Sequence, residues 1–224
     1  MDDACILLFV KAPERGRVKT RIAREMGDEF ALSMHESMVL DSIDMLEQAA
    51  FPYRICYAPV QAREKMQDWL GRDKAFMPQS GDDVGERMER AFAGIFHEGK
   101  KRAVIVGSDI PGLNATILEQ ALDALDVNDA VIGPALDGGY YLIGFTEKGF
   151  DPGVFHAMTW STESVFQETM RRLAQSARTV MVLPQLSDVD CKEDLLALLG
   201  CTCGLDHAWR TLGLLRKEKP AIQS

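Results

Sequence analysis

The sequence has few of the residues that build metal sites and disulfide scaffolds. It contains 5 cysteines and 4 histidines in 224 residues. The cysteines form no C-x-x-C pair, and the histidines are too scattered to complete a zinc site. An odd number of cysteines in a chain of this size is typical of reduced thiols. We therefore interpret the C-x-C at Cys201 and Cys203 as structural or incidental, and we expect a cytoplasmic protein.

Long apolar runs and an excess of positive charge are also missing. No apolar run approaches the ~20 residues that span a bilayer, and the first residues lack the pattern of a signal peptide. The net charge is -9, which repels nucleic acid backbones and anionic membranes in general. We therefore expect a small metabolite as the ligand, with no nucleic acid and no membrane. Composition leaves the oligomeric state open.

Apolar runs alternate with amphipathic segments, and this alternation predicts an α/β fold. The run Ala4 to Val10 suits a strand that is covered on both faces. Residues 84–97 carry apolar side chains at helical spacing, and another apolar run ends at Gly107. Because 46% of the residues are hydrophobic, the chain can bury a large core. We expect one domain over residues 1–224.

A basic loop follows the first predicted strand. The stretch Lys11 to Arg24 (KAPERGRVKTRIAR) has six basic residues against one acid. It lacks the G-x-x-x-x-G-K-[ST] spacing of a P-loop and the G-x-G-x-x-G of a dinucleotide site. A loop that leads into a helix can bind phosphate through backbone N–H groups, with Lys and Arg neutralising the charge. A diphosphate cradle and a solvated basic helix face are equally good interpretations of this stretch alone.

Acids follow three of the predicted strands. They are Asp109, Asp137 and the pair Asp188 and Asp190. Ligands of open α/β sheets bind outside the carboxyl ends of the strands, so these acids are placed to hold a cation or a substrate hydroxyl. Each acid could instead cap a helix or a turn.

Two helix starts offer further candidates. Arg87 could face a ligand or could form a surface pair with Glu86 or Asp83, which local sequence favours. Ser161 or Thr162 could cap the helix after Trp160. The Trp160 ring could stack on a substrate or pack in the core.

Five motifs occur along the chain in a fixed order. They are K-A-P-x-x-G-x-x-K-T-R, G-S-D-I-P-G-L, G-P-A-x-D-G-G-Y-Y-L-I-G, W-S-T-E and L-x-D-V-D-x-x-E-D-L. Together they resemble the nucleotide-diphospho-sugar transferases of GT-A fold. Within these, the sequence is most similar to a bacterial glycosyltransferase-like family sometimes found beside arsenosugar biosynthesis. The resemblance runs from Ile6 to about Leu196.

The resemblance implies a three-layer α/β/α Rossmann-like GT-A fold with a mostly parallel central sheet. It also implies a nucleotide sugar or nucleoside triphosphate as ligand, a small-molecule acceptor, and a divalent cation, Mg²⁺ or Mn²⁺. The cation would be held by Asp109 and Asp190, and the candidate catalytic acids are Asp109 and Asp137. The expected nucleotide and diphosphate contacts are Lys11, Ala12, Pro13, Gly16, Lys19, Thr20, Arg21, Arg87 and Ser108. The expected substrate or acceptor contacts are Gly138, Gly139, Tyr140, Trp160, Ser161 and Thr162.

Two departures from related proteins keep the alternatives open. Ser108-Asp109-Ile110 stands where sugar-nucleotide transferases commonly have D-x-D, and Lys11-Ala12-Pro13 where nucleotidylyltransferases usually have a Gly-Gly loop. The leading prediction is a metal-dependent glycosyltransferase. The alternatives are a guanylyltransferase-like nucleotidylyltransferase that acts on a phosphorylated metabolite, and a nucleotide-binding protein without turnover.

Overall fold

A computed structural model of the protein describes residues 3–200 and 204–223. Cys201 and Cys203 lie outside the described residues. The chain divides into two compact units. The sheet unit comprises residues 3–12, 51–107 and 116–186, and the helical unit comprises 13–50, 108–115, 187–200 and 204–223. The single domain expected from the sequence stays a prediction.

The sheet unit is built on a seven-stranded sheet with the order β3-β2-β1-β4-β6-β5-β7. The strands are β1 (Ala4–Lys11), β2 (Tyr53–Ala58), β3 (Phe76–Pro78), β4 (Arg102–Gly107), β5 (Ala130–Pro134), β6 (Tyr140–Thr146) and β7 (Val180–Val182). Among the strands that the structure describes, β6 alone runs antiparallel to its neighbours, β4 and β5, and the other pairs are parallel. The predicted α/β class and mostly parallel sheet are confirmed.

The apolar run of β1 is buried because β1 lies between two parallel strands. It pairs with β2 on one side and with β4 on the other, and Ile6 and Leu7 have no exposed surface. A strand covered on both faces needs continuous apolar residues rather than an alternating pattern. This explains why the sequence alone was sufficient to identify the central strand.

The helices of the sheet unit follow the expected alternation. They are α3 (Arg63–Leu70, after a 3₁₀ turn at Val60–Ala62), α4 (Val84–His97), α5 (Ala115–Ala124) and α6 (Val165–Gln175). The first residue of α5 belongs to the helical unit and the rest of α5 to the sheet unit. Asp83 caps α4, since its side chain accepts the Glu86 N–H at 2.8 Å. Phe92 of α4 packs edge-on against Phe145 of β6, with ring centroids 5.1 Å apart.

The helical unit contains α1 (Thr20–Met26), α2 (Asp28–Gln48), α7 (Lys192–Gly200) and α8 (Trp209–Gln223). Gly27 separates α1 from α2, as the C-cap of the first and the N-cap of the second. Met34 and Met38 are buried with Leu195 and Leu212 in one apolar cluster, as expected for methionines that fill a core. The buried Asp41 carboxylate accepts the N–H of Thr211 at 2.9 Å and so holds the start of α8.

No helix among residues 3–200 and 204–223 combines the length and apolar character needed to cross a bilayer.

Candidate functional site

The helical unit brings one lysine and two carboxylates into direct contact. The Lys19 ammonium donates to Asp109 Oδ2 at 2.9 Å and to Asp190 Oδ1 at 2.7 Å. The three residues are separated by 90 and 171 positions in the chain. We call this group the charged cluster. Asp109 and Asp190, the two acids expected to hold a cation, therefore lie close together, and their role as metal ligands stays a prediction.

The three side chains differ in their access to solvent. The Lys19 side chain is 6% exposed, whereas those of Asp109 and Asp190 are 38% and 44% exposed. The ammonium is therefore enclosed by the protein, while both carboxylates can still be reached by a ligand or an ion.

The charged cluster perturbs the ionisation of its members. Burial by itself lowers the pKa of Lys19, but the charges of Asp109 and Asp190 and their hydrogen bonds outweigh it and raise the pKa. Burial likewise opposes ionisation of Asp109, yet the Lys19 charge and hydrogen bond hold the pKa of that carboxyl below its usual value. Both shifts favour the charged forms, the Lys19 ammonium and the Asp109 carboxylate.

The loop before α1 places Lys19 by adopting an unusual backbone conformation. Lys19 is the N-cap of α1 with φ 44° and ψ 48°, in the left-handed region, which costs roughly 1–2 kcal/mol for a residue with a Cβ. Gly16 has φ 73° in the same loop, and the Val18 side chain, 3% exposed, anchors it to the core. The two ion pairs compensate for the strain at Lys19.

Hydrogen bonds fix the segments that carry the two acids. The Val189 N–H donates to the Asp109 carbonyl at 3.0 Å. The Asp194 carboxylate accepts the N–H groups of Asp190 and Cys191, both at 2.8 Å. Asp194 therefore caps the start of α7, and the Asp190 carboxylate bonds to Lys19 instead of serving as the cap considered from sequence.

The other predicted diphosphate contacts are distributed over both units. In the helical unit Thr20 and Arg21 are exposed at the start of α1, whereas Pro13 and Ser108 are buried. In the sheet unit Lys11 is the exposed last residue of β1. The buried Ala12 donates its N–H to the Ala58 carbonyl at 2.7 Å.

The Arg87 side chain bonds to a backbone carbonyl rather than to the Glu86 or Asp83 carboxylate expected from local sequence. Its Nε donates to the Gly81 carbonyl at 3.1 Å, so Arg87 holds the turn before α4. Glu86 instead pairs with Arg90 and accepts the Asp82 N–H at 2.7 Å.

The sheet unit has a cleft of about 280 Å³, near the lower limit of the ~300–1,000 Å³ common for small-molecule sites. We call it the sheet-unit cleft. Its lining is mostly apolar and includes five of the six predicted substrate or acceptor contacts. The lining residues are Phe9, Val84, Met88, Ile105, Gly107, Asp137, Gly139, Tyr140, Tyr141, Ile143, Trp160, Ser161, Thr162 and Val165. Asp137 also lines it, which places the second candidate catalytic acid among the predicted substrate contacts.

Glycines make room for the walls of the sheet-unit cleft. A Cβ on Gly85 would overlap the Trp160 indole, and a Cβ on Gly138 would overlap the backbone of Glu163. Gly138 also has φ 87°, a value that favours glycine. The Gly138 backbone therefore lies close to the segment that precedes α6. Gly139 lines the cleft and donates its N–H to Asp137 Oδ1 at 2.9 Å.

The capping prediction for α6 is wrong. The helix begins at Val165 with Ser164 as its N-cap residue, so Ser161 and Thr162 precede it. The Thr162 hydroxyl donates to the Thr159 carbonyl at 3.0 Å and thereby closes a local turn, which competes with capping. Ser161 has φ 61°.

Sequence reasoning missed the apolar lining of the sheet-unit cleft and the ion pairs of Lys19. Met88 was assigned only to the apolar side of α4, and Val84 only to its first position, yet both line the cleft. Gly85, at the start of an otherwise apolar helix face, was the signal for close packing, because glycine in a helix is unfavourable without such a reason. No local signal couples Lys19 to acids 90 and 171 residues away.

The residues of the charged cluster suit a hard divalent cation in part. Mg²⁺ and Mn²⁺ take oxygen ligands, commonly one or two carboxylates with phosphate and water completing the set. Asp109 and Asp190 supply two such carboxylates, and each has a second oxygen besides the one that Lys19 binds. Within residues 3–200 and 204–223, no group of three or more His, Cys, Asp or Glu side chains could hold a metal. An ion here would therefore need oxygens from its ligand as well.

Comparisons with known proteins agree with this fold and these motifs. The model of a family described as "Uncharacterized protein conserved in bacteria (DUF2064)" matches residues 39–162, more than half of the chain. A crystal structure of a "putative nucleotide-diphospho-sugar transferase" from Desulfovibrio desulfuricans G20 is 38% identical, with a TM-score of 0.94. That match covers 100% of this chain and 98% of the other. A search of curated proteins finds no match.

More distant solved structures share the fold alone. A cytidylyltransferase from Leptospira borgpetersenii is 15% identical with a TM-score of 0.58, covering 98% of this chain and 96% of the other. The 4-diphosphocytidyl-2C-methyl-D-erythritol synthase from Anaerococcus prevotii is 11% identical with a TM-score of 0.55, covering 88% and 95%. The Desulfovibrio protein is described as a transferase, which agrees with the transferase class predicted from the sequence. The sequence motifs, the mostly parallel sheet and the full-length match together place this chain in the DUF2064 family, with the fold of the nucleotide-diphospho-sugar transferases.

Proposed function

We propose that this protein is a metal-dependent glycosyltransferase that takes a nucleotide-diphospho-sugar donor and passes the sugar to a small acceptor. The observation that carries the proposal is the charged cluster. Lys19, from the basic loop, lies against two partly exposed carboxylates of the same unit. The Desulfovibrio protein is described as a "putative nucleotide-diphospho-sugar transferase".

Lys19 and Arg21 are the groups we assign to the diphosphate. Lys19 is a point charge already held at the cluster, and the exposed Arg21 can present a planar guanidinium to phosphate oxygens. Helix α1 begins at Thr20, and the positive end of a helix favours an anion. These donors would hold the diphosphate and neutralise its charge.

Asp109 and Asp190 are the groups we assign to the cation. When bound, Mg²⁺ or Mn²⁺ would stabilise the negative charge that develops on the departing diphosphate. Lys19 already bonds one oxygen of each carboxylate, so the ammonium and a metal ion compete for the same two acids. Release of Lys19 toward the diphosphate would leave both carboxylates to the ion.

The transfer itself makes one bond and breaks one. The acceptor oxygen bonds to the anomeric carbon of the sugar, and the bond from that carbon to the diphosphate oxygen breaks. The acceptor hydroxyl loses its proton to a base, and the nucleoside diphosphate leaves with the bonding electrons. Asp137, an exposed carboxylate that lines the sheet-unit cleft, is our candidate for the base.

Nucleotidyl transfer is the second candidate, and the fold of the cytidylyltransferases favours it. Products separate the two reactions. A glycosyltransferase releases a nucleoside diphosphate, whereas a nucleotidylyltransferase releases pyrophosphate from a nucleoside triphosphate. Incubation with nucleotide sugars or triphosphates and Mn²⁺, followed by product chromatography, tests this directly. Pyrophosphate without nucleoside diphosphate would contradict glycosyl transfer.

The nucleotide itself can be identified by thermal shift. A ligand that binds only the folded protein raises its melting temperature. We expect a rise with one family of nucleotide sugars that depends on Mn²⁺. A shift without any product would support the third candidate, a nucleotide-binding protein without turnover. The cytoplasmic location stays a prediction.

A further inference from the structure

The charge of the sheet-unit cleft separates it from a phosphate site. None of its lining residues is Lys, Arg or His, and its one acidic residue is Asp137. A phosphoryl group carries a charge of about −1.5 to −2 at neutral pH and is normally held by arginine, lysine or clustered N–H donors. A phosphorylated metabolite in this cleft would face a carboxylate with no side-chain cation to neutralise it.

The walls of the cleft suit the C–H faces of a ring. Trp160 packs against Gly85, where a Cβ would overlap the indole, so its ring is held in one position. Met88, buried in the core, and Tyr140 form another part of the lining. Burial of a ligand's C–H groups against apolar and aromatic surface is favourable in free energy. The cleft therefore combines apolar walls with a small number of polar groups, as sites for small organic molecules do.

Asp137 can recognise a hydroxyl group. Its Oδ1 accepts the Gly139 N–H at 2.9 Å, which orients the carboxylate in the loop. An ionised carboxylate has about four lone-pair positions, so acceptor capacity remains for a ligand O–H. A hydrogen bond from a hydroxyl to a charged carboxylate is stronger than one between neutral groups.

We propose that the sheet-unit cleft binds an uncharged, hydroxyl-bearing ring, such as a sugar, and rejects its phosphorylated counterpart. The proposal rests on the proposed function and adds the chemical class of the ligand. The ring has two sources, the sugar of the donor and the acceptor. Whichever source supplies the ring, a phosphorylated metabolite should bind poorly in this cleft. Such a metabolite is the substrate of the nucleotidyl alternative.

A matched pair of probes tests the charge preference. Phenyl β-D-glucopyranoside and its 6-phosphate differ only in the phosphate, and their binding to the full chain can be measured by calorimetry without nucleotide. We expect the neutral glycoside to bind at millimolar concentrations and the phosphate to bind at least about tenfold more weakly. Equal or tighter binding of the phosphate overturns the proposal.

Two variants and one control locate the binding. Asp137→Asn should weaken binding of the neutral probe about tenfold, the loss expected for a hydrogen bond to a charged group. Val84→Lys adds a cation at a lining position that is 40% exposed, and it should bring binding of the phosphate close to that of the neutral probe. Val60→Lys, at a 45% exposed position of the same unit outside the lining, should leave both affinities unchanged. Neutral-probe binding that is unchanged in Asp137→Asn, together with phosphate binding that is unchanged in Val84→Lys, places the probes elsewhere and overturns the proposal.

Nucleotides then distinguish the two sources of the ring. If the cleft holds the donor sugar, a nucleotide sugar displaces the glycoside, whereas the nucleoside diphosphate does not. If it holds the acceptor, the glycoside still binds when nucleotide sugar is present. Failure of both glycosides to bind, with nucleoside diphosphate binding intact, overturns the cleft proposal and leaves the proposed function standing. Binding of the neutral glycoside without any nucleotide binding would support the cleft proposal and contradict the proposed function.

Discussion

The charged cluster and the sheet-unit cleft differ in what they can hold. In the charged cluster, two carboxylates against one ammonium leave one negative charge, and the ammonium is 6% exposed while the acids are over a third exposed. In the cleft, one carboxylate lies among aromatic and aliphatic side chains. The cluster therefore suits a cation and an anionic group bound together, and the cleft suits an uncharged ring.

The two regions are also built differently. The cluster depends on strain and charge, because Lys19 holds a left-handed conformation that its two ion pairs compensate. The cleft depends on missing side chains, because a Cβ would overlap the lining Trp160 indole at Gly85 and the Glu163 backbone, next to the lining residue Thr162, at Gly138. Charge substitutions should therefore disturb the cluster, whereas added volume should disturb the cleft.

The largest effect is expected from the acids of the charged cluster. Asp109→Asn and Asp190→Asn should each abolish Mn²⁺-dependent nucleotide binding, because a neutral amide keeps the shape but removes the charge that the cation needs. The two losses should be strongly non-additive, as for residues that act as one unit. Calorimetric titration of Mn²⁺ with nucleotide present measures both, and Asp206→Asn, an exposed acid of the same unit, controls for net charge. Unchanged metal affinity in Asp190→Asn would remove Asp190 from the site.

Added volume at Gly138 should break the cleft and leave the cluster. Gly138→Ala combines a positive φ with overlap against the Glu163 backbone, so we expect a loss of about 3 kcal/mol in the free energy of unfolding. Urea denaturation measures it. Gly99→Ala is the matched control, since Gly99 has φ 90° with nothing within 4 Å of an added Cβ, and it should cost only about 1 kcal/mol.

In the same Gly138→Ala protein, glycoside binding should be lost while Mn²⁺-dependent nucleotide binding persists. Loss of both glycoside binding and nucleotide binding at temperatures where the protein is folded would contradict this prediction, because the substitution would then disturb the charged cluster as well as the cleft.

Replacing Lys19 should change the affinities for nucleotide and metal in opposite directions. Lys19→Met removes a diphosphate contact, which should weaken nucleotide binding by roughly 1.5–3 kcal/mol, the range for a hydrogen bond to a charged group. It also frees both carboxylates, so Mn²⁺ should bind more tightly when no nucleotide is present. Arg17→Met, an exposed position in the same loop, should do neither. Weaker Mn²⁺ binding in Lys19→Met would contradict the competition between ammonium and metal.

The smallest effect is the pH dependence of the stability that the charged cluster provides. The pKa of Asp109 is lowered from 3.8, so its contribution is present above that value and is lost as pH falls through the lower, folded pKa. The pKa of Lys19 is raised from 10.5, so its contribution is present below that value and is lost as pH rises through the higher, folded pKa. His35 also acts on Asp109 through its charge.

The difference in unfolding free energy between wild type and Lys19→Met should therefore be on the order of 1 kcal/mol, because the acids are partly exposed. It should be nearly constant from about pH 5 to pH 9 and decline outside that window. Denaturation at several pH values measures it. A difference that grows below pH 4 would mean that the carboxylates are not the partners that matter.

Much of the fold could be predicted from the sequence because local patterns determine it. The continuous apolar run of β1 predicted a central strand, and the helical spacing of residues 84–97 predicted α4 with its observed bounds. The antiparallel β6 and the helix start at Val165 were not specified locally. The register of β6 depends on its pairing with β4 and β5, and the start of α6 is held by the distant Gly138, whose carbonyl accepts the Phe166 N–H at 2.9 Å.

Sequence alone determined which chemical groups this protein brings to its sites. It identified the basic loop with Lys19, the acids that follow strands, and the motif around Gly138, because each stands next to a strand or helix end that local pattern reveals. Only the tertiary structure decided which groups meet. Lys19 reaches Asp109 and Asp190 across 90 and 171 positions, and the cleft takes its lining from separated strands, helices and loops. Such contacts depend on the packing of whole elements, and no short stretch of sequence encodes them.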